Sequence, residues 1–558
     1  MNTLRPSDSS AARAGLGASL AAALLLSACG GGDDAAPTEQ ALARAASTTE
    51  SEQAGQDEAG SASLDDRLAQ AAARVCERRP NNTFKKLLEC VTVEGVRKHQ
   101  AALQKIADAN GGNRAAGTPG YDASVRYVVA KMRAAGYHVT LNEFPFVFVA
   151  APTLKQTAPV AASYETGAFT GSGHGNVTAA VTAVDINLAP PRPSTSGCEA
   201  ADFAGFPVGN VALIQRGTCS FGIKALNAQT AGAAAVIIFN QGNTPEREGL
   251  IVGTLLPDGA AVTIPVIGAS FANGAALAQA GSVAAISLAP PQNVTQVNVI
   301  AESHWGDPNN VVVVGAHLDS VQRGPGINDN GSGSAAILET ALQMANVRPR
   351  NKLRFAWWGA EEAGLVGATA YVAGLSEEER SKIALYLNFD MVGSPNHVFF
   401  VYDGDNSDAT GAPAGPPGSD QIEQVFERFY NQRGIPFKGT DFDGRSDYGP
   451  FIANGIPAGG LFTGAEGIKT AAEAALWGGS AGQQYDPCYH LACDAYPNVN
   501  LEALGTNADA VAYATLQFAM DTKGIGTSNA NASAQRSQAA RAFSVPADVT
   551  DPYRHLRE

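Results

Sequence analysis

His317, Asp319, Asp329, Glu361 and Glu362 fall within one short stretch of the chain, and Asp390 follows at the end of a further apolar run. Carboxylates and an imidazole gathered in one place would repel and desolvate one another unless a cation neutralised them. The first expectation is a metal site. Each residue alone has a plainer reading. A His in a loop is often solvated, Asp329 could simply cap a helix beside Asn330 and Ser332, and the other acids could be stray charge at strand ends. Taken together, those readings need several strands to place an acid at the same sheet edge by accident.

The elements that must position these residues are legible around them. The stretch reads VVVVGAHLDS, then NDNGSGSAAILETALQMA, then KLRFAWWGAEE. Two short apolar runs flank an amphipathic helix, a β-α-β unit whose strands are expected to be parallel in one sheet. Open α/β sheets bind ligands beyond the carboxyl ends of their strands. In His317-Leu318-Asp319 the outer residues share one face of an extended segment. His317 is expected to bind metal through one ring nitrogen while Asp319 holds the other.

The 558-residue length predicts two or three domains at roughly 100–200 residues each. A formal net charge of -15 argues against nucleic acid as a partner. Residues 1–29 have the pattern of a secretory signal: Arg5 and Arg13, a short apolar core, then Leu26-Ser27-Ala28-Cys29. That ending resembles the lipobox of bacterial lipoproteins, which implies lipidation of Cys29 and membrane contact only through that anchor. Gly30 lacks the acidic signal for inner-membrane retention, so an outer-membrane lipoprotein, or otherwise a secreted protein, is expected. Of seven Cys, removing Cys29 leaves Cys76 with Cys90, Cys198 with Cys219, and Cys488 with Cys493. Three sequence-local pairs in an exported chain predict three disulfides.

Residues 30–75 are expected to be a disordered tether, with helical patterning from Leu64 to Asn110. Residues 76–149 and 293–521 are expected to form one domain in two parts, interrupted by an Ala-, Gly- and Val-rich insertion over 150–292, and 522–558 is expected to be a disordered tail. Within the insertion, GNVALIQRGTCSFGIKALNAQTAGAAAVIIFNQ reads as strand, turn, helix, strand. Arg216, Gly217, Cys219, Phe221, Lys224 and Ala231-Gly232-Ala233 in that run resemble the hallmark of the protease-associated (PA) domain, a mainly-β module without catalytic residues.

HLDS, NDNGSG, GAEEAGLVGA, NFDM and DPCYHLACD, in this order, resemble the secreted two-zinc aminopeptidases of metallopeptidase clan MH, of the bacterial leucyl aminopeptidase type. The resemblance covers about 81–146 and 294–520. It implies an α/β fold with a mixed, mostly parallel sheet flanked by helices, the zinc aminopeptidase or phosphorylase/hydrolase-like fold. It implies two Zn(2+) per chain. His317 and Asp390 bind one zinc, Glu362 and His490 the other, and Asp329 bridges them. Glu361 is the general base, acting on a hydroxide shared by the zinc pair. Tyr489 donates to the developing oxyanion. Arg445 lies near the substrate N-terminus, with Met391 and Phe462 in an apolar pocket. A Cys488–Cys493 bridge would fix Tyr489 and His490; these Cys as zinc ligands are the rival reading, disfavoured by an oxidising compartment.

The implied activity is removal of an N-terminal residue, large and apolar such as Leu, from peptides by a monomeric enzyme. The alternatives are a carboxypeptidase or glutaminyl cyclase of the same clan, or a non-catalytic PA-domain binding protein.

Overall fold

The computed structural model describes residues 74–525, apart from Glu77 and residues 410–412. The signal segment with Cys29, most of the tether and most of the tail therefore lie outside the described residues. Arg74 and Val75, expected in the tether, are helical. Thr522 and Ile525, expected in the tail, pack on the domain: Asn310 Nδ2 donates to Thr522 Oγ1 at 2.7 Å, and Ile525 is buried.

The helical pattern ahead of Asn110 resolves into α1 (Phe84–Leu88) and α2 (Val93–Ala109). Thr83 and Thr92 cap them, each hydroxyl accepting a backbone N–H of the first turn. The second cap breaks what the periodicity alone reads as one run. Then follow α3 (Pro119–Ala134) and β1 (His138–Phe148).

The inserted segment contributes β2 (Thr153–Ala158), β3 (Ala162–Tyr164), β4 (Gly175–Val184), β5 (Val211–Gln215), α4 (Phe221–Thr230), β6 (Ala235–Phe239), β7 (Val266–Ala269), α5 (Phe271–Leu277) and β8 (Val283–Leu288). These strands form their own sheet, in the order β3-β2-β8-β4-β5-β6-β7. It has an apolar core on each face, and the Cys198–Cys219 disulfide ties the β4–β5 connection to the loop after β5.

The chain returns through β9 (Gln292–Glu302), β10 (Asp307–His317), α6 (Gly331–Gln343), β11 (Asn351–Trp358), α7 (Val366–Gly374), α8 (Glu377–Ser381), β12 (Ile383–Phe389), β13 (Phe400–Tyr402), α9 (Ser419–Arg433), β14 (Lys438–Thr440), α10 (Tyr448–Ala453), β15 (Ala458–Phe462), α11 (Ala471–Trp477) and α12 (Leu501–Met520). The main sheet runs β1-β9-β11-β10-β12-β15-β13-β14. Its centre is parallel, β11-β10-β12-β15, with β9 antiparallel to β11.

The central strands are apolar throughout because both faces are covered. Val312, Val314, Phe355, Trp357, Leu385 and Leu387 pack in one cluster beneath α2, α3, α6, α9 and α12. Val311, Val313, Trp358 and Tyr386 face the other way, toward residues of α7 and α10. The register pairs His317 with Trp358 and Gly315 with Asn388, so the carboxyl ends of β10, β11 and β12 open at one rim. The linker that leads from β1 into the inserted sheet is tied to that rim by Gln322: its amide donates to Val149 O and accepts from Ala151 N, each at 2.7 Å. Among the described residues no helix is long and apolar enough to cross a membrane.

Candidate metal centre

His317 is the last residue of β10 and is 1% exposed. Its Nε2 lies 3.2 Å from Asp329 Oδ1, 3.2 Å from Asp390 Oδ1 and 3.8 Å from Glu361 Oε2. The second imidazole, His490, has its Nε2 3.0 Å from Glu362 Oε2 and 3.3 Å from Asp329 Oδ2. Asp329 thus turns one oxygen toward each imidazole. Two donor groups result, His317 with Asp390 and His490 with Glu362, joined by Asp329. Glu361 sits beside the first group.

The donor set fits divalent metal ions. Both imidazoles turn Nε2 into the carboxylate cluster, and Oε1 of Glu362 is buried there without a hydrogen-bond partner. Burial pushes the Glu362 carboxyl up to about 7, with Asp329 adding to the shift and His490 opposing it. Burial also pushes Glu361 well above the usual carboxylate range; His317 pulls it back, while Asp447 and Asp390 push it higher. Burial would lower His490, but Glu362 and Asp329 outweigh it and raise it to about 11. Cations would neutralise this crowding of acids. The set is imidazole nitrogen and carboxylate oxygen, as borderline ions such as zinc accept.

His317 ends β10 and Asp390 follows β12; three loops hold the other donors. The first runs from β10 to α6. Asn330 caps α6, its side chain accepting from Gly333 N at 2.9 Å. Ser332, expected as a cap, instead donates to Asn328 O from inside the first turn. Arg114 is fully buried beneath this loop: it donates to the carbonyls of Pro325 at 2.9 Å, Gly326 at 2.6 Å and Leu318. The second loop carries Glu361 and Glu362. They lie beyond the last residue of β11, after Ala360 at φ +55°, rather than on the strand itself.

The third loop carries His490 inside the Cys488–Cys493 ring. Asp494, next to that ring, accepts the backbone N–H of Asn328 at 2.8 Å and of Asp329 at 2.9 Å. Asp486 accepts Asn328 Nδ2 at 2.7 Å and Cys488 N at 2.9 Å. The loops of Asp329 and His490 are therefore clasped by two carboxylates, while the disulfide closes the His490 loop on itself. At Gly324 any Cβ would collide with the Leu491 carbonyl, so a side chain there would push the loops apart.

Asp319 corrects one expectation. It is 3.6 Å from His317 Nδ1, too far for a hydrogen bond. Its oxygens accept the backbone N–H groups of Glu361 at 3.2 Å and Glu362 at 3.4 Å, so it orients the Glu361–Glu362 turn while facing the imidazole. Ser446 donates to Asp390 Oδ2 at 2.6 Å. Asp447 is 1% exposed and neither of its carboxylate oxygens has a hydrogen-bond partner. Asp494, Arg114, Ser446 and Asp447 escaped the sequence reading, because nothing in their local spacing sets them apart.

Asp329, Glu361, Asp390 and His490 line a cavity of about 270 Å³. Met391 and Phe462 line it too, with Phe400 and Tyr402 beyond. The Tyr489 ring stacks on His490, centroids 3.8 Å apart. Arg445 reaches Glu466 and the Tyr489 hydroxyl.

A mixed sheet with a nitrogen and carboxylate cluster at its rim, opening into a substrate-sized cavity, defines a metal-dependent hydrolase. Residues 298–515 match the family model of Peptidase family M28, and residues 177–277 match the PA domain. An aminopeptidase of Pseudomonas aeruginosa is 51% identical over 78% of this chain and 83% of its own. A probable lipoprotein aminopeptidase, LpqL, of Mycobacterium tuberculosis is 43% identical over 78% of this chain and 86% of its own. Among solved structures, BSAP, a zinc aminopeptidase from Bacillus subtilis, aligns with a TM-score of 0.54 at 26% identity, over 77% of this chain and 96% of that one. The chain belongs to peptidase family M28, with a PA domain inserted in its catalytic fold.

Proposed function

We propose that this chain is a zinc-dependent aminopeptidase that releases a large apolar residue, such as Leu, from the free N-terminus of peptides. The observation that carries the reading is Asp329, with one oxygen 3.2 Å from His317 Nε2 and the other 3.3 Å from His490 Nε2. In this proposal His317 and Asp390 hold one zinc, Glu362 and His490 the other, and Asp329 both. The zinc aminopeptidase and aminopeptidase relatives support it.

Bound zinc supplies Lewis-acid polarisation of the scissile carbonyl and an acidified water. The chain's own residues supply the rest. Glu361 takes the water's proton on its carboxylate and passes it to the leaving amine. Tyr489 offers its hydroxyl to the carbonyl oxygen as negative charge develops there. Met391, Phe462 and Phe400 give the first side chain an apolar wall.

An amine rather than a carboxylate suits the cavity's charge. Asp329, Glu361, Asp390, Asp443 and Glu466 line it, and Arg445 is the one guanidinium or ammonium among its described lining residues. Arg445 is already paired with Glu466 at 2.7 Å. A carboxypeptidase would need a cation free to meet the substrate carboxylate. Export and a lipid anchor on Cys29 belong to the same proposal, supported by three disulfides and by the lipoprotein named among the relatives.

The test is hydrolysis of leucyl arylamide before and after chelation. Activity should vanish, return with zinc at two equivalents per chain, and be absent on N-acetylated substrate. Undiminished activity in the chelated protein overturns the proposal.

A further inference from the structure

We infer that Arg445 is a positioning residue: held by Glu466, it donates to the phenolic oxygen of Tyr489 and so directs that hydroxyl's own hydrogen into the cavity. The inference rests on the aminopeptidase reading and adds to it the device that aims the oxyanion donor.

Hydrogen-bond chemistry sets the direction. A guanidinium only donates, while a phenol has a single hydrogen to give and lone pairs to receive. Arg445 Nη2 lies 3.3 Å from the Tyr489 hydroxyl, so there the phenol is the acceptor. Its hydrogen must point elsewhere. Tyr489 lines the cavity together with Asp329 and Glu361, which is where a scissile carbonyl would sit. Stacking on His490, with 23° between the ring planes, limits the tilt of the phenol.

Arg445 is itself constrained from two sides. Its Nη1 donates to Glu466 Oε1 at 2.7 Å. Its backbone N–H donates to Asp443 Oδ1 at 3.0 Å, and the same oxygen takes the Tyr448 hydroxyl at 2.6 Å. Tyr448 opens α10, so the guanidinium is referred back to the core of the domain. The Arg445 and Glu466 side chains are 47% and 45% exposed. An ion pair that open to water adds little stability, so orientation accounts better for its presence at the cavity rim. Direct capture of the substrate amine by Arg445 is disfavoured, since a guanidinium repels an ammonium.

The experiment is a double-mutant cycle on leucyl arylamide with Tyr489→Phe, Arg445→Met and the pair, with zinc content and melting temperature measured for each. Tyr489→Phe should lower kcat about 10²-fold. Arg445→Met should lower kcat about 10-fold with KM within about twofold, as for an interaction made in the transition state. In the Tyr489→Phe background, Arg445→Met should cost less than about twofold. Arg445→Lys, which keeps a charged donor, should recover most of the loss, and it carries the test if Arg445→Met fails to fold. Equal losses from Arg445→Met in both backgrounds, a change confined to KM, or full activity in Tyr489→Phe would overturn the inference. Any of these with activity still lost on chelation defeats the inference alone; activity that survives chelation defeats the aminopeptidase reading beneath it.

Discussion

Glu361 and Glu362 are sequence neighbours whose side chains end in different company. Glu362 Oε2 lies 3.0 Å from the His490 imidazole, whereas Glu361 approaches His317 only to 3.8 Å. In the proposed mechanism Glu362 ligates and Glu361 moves a proton. Glu361→Ala should therefore keep both zinc equivalents and lose roughly 10²–10⁴-fold in kcat. Glu362→Ala should lose one equivalent by elemental analysis. If Glu361→Ala sheds metal while Glu362→Ala keeps it, the two roles are exchanged.

At the scale of elements, the centre depends on how the loops are clasped. Asp494 holds the backbone of Asn328 and Asp329 from the loop that carries His490. Asp494→Ala leaves those N–H groups unpaired and weakens the hold of one loop on the other, with Asp486 still bound to Asn328. Zinc affinity should fall about 10–100-fold, read by competition with a chromophoric chelator. An unchanged affinity would mean that Asp486 and the Ile327–Asp494 backbone hydrogen bond suffice to hold the loops together.

Glu473, in the first turn of α11, braces the cavity wall from behind. It accepts hydrogen bonds from Lys438 and Tyr485, each at 2.8 Å. Burial alone would raise its carboxyl; Lys438, Thr470 and Tyr485 outweigh burial and hold it at about 2, against an ordinary 4.5. A carboxyl lowered by folding stabilises above its unfolded value and loses that contribution as pH falls toward its folded one. The melting-temperature advantage of the native chain over Glu473→Gln should be full at pH 6 and shrink between about pH 4.5 and 2. An advantage that is constant across that window would exclude an ionic role.

On the scale of the whole molecule, two sheets with separate cores share one chain. The inserted sheet has its own buried clusters and holds none of the proposed metal ligands. Ligands that bind only the folded state stabilise it, by roughly 4 kcal/mol at a thousandfold excess over Kd. Chelation should lower the melting of the catalytic fold and leave that of the PA domain unmoved, as followed by calorimetry. A shift common to both would show that Gln322 and its contacts weld them into one cooperative unit.

Much of this was legible before any coordinates. Runs such as VVVV and FAWW announce strands buried on both faces, because apolar continuity and length are local properties. His317, Asp319, Glu361, Glu362 and Asp390 stand out as polar groups at the ends of such runs, and Asp329 as an acid in the loop that opens the next helix. His490, Tyr489 and the pocket residues came only from resemblance, since an aromatic and an imidazole in a loop carry no periodicity.

The amino-acid order by itself determined which elements form and which chemical groups end them, through side-chain period, caps and turns acting over a few residues. Tertiary structure alone decided that Arg114 lies under the Leu318 carbonyl, 204 residues away, that Asp494 clasps Asp329, and that Asp319 serves the Glu361–Glu362 turn more closely than His317. Those contacts arise from packing whole layers together, and a hydrogen bond between distant segments leaves no trace in the spacing of either.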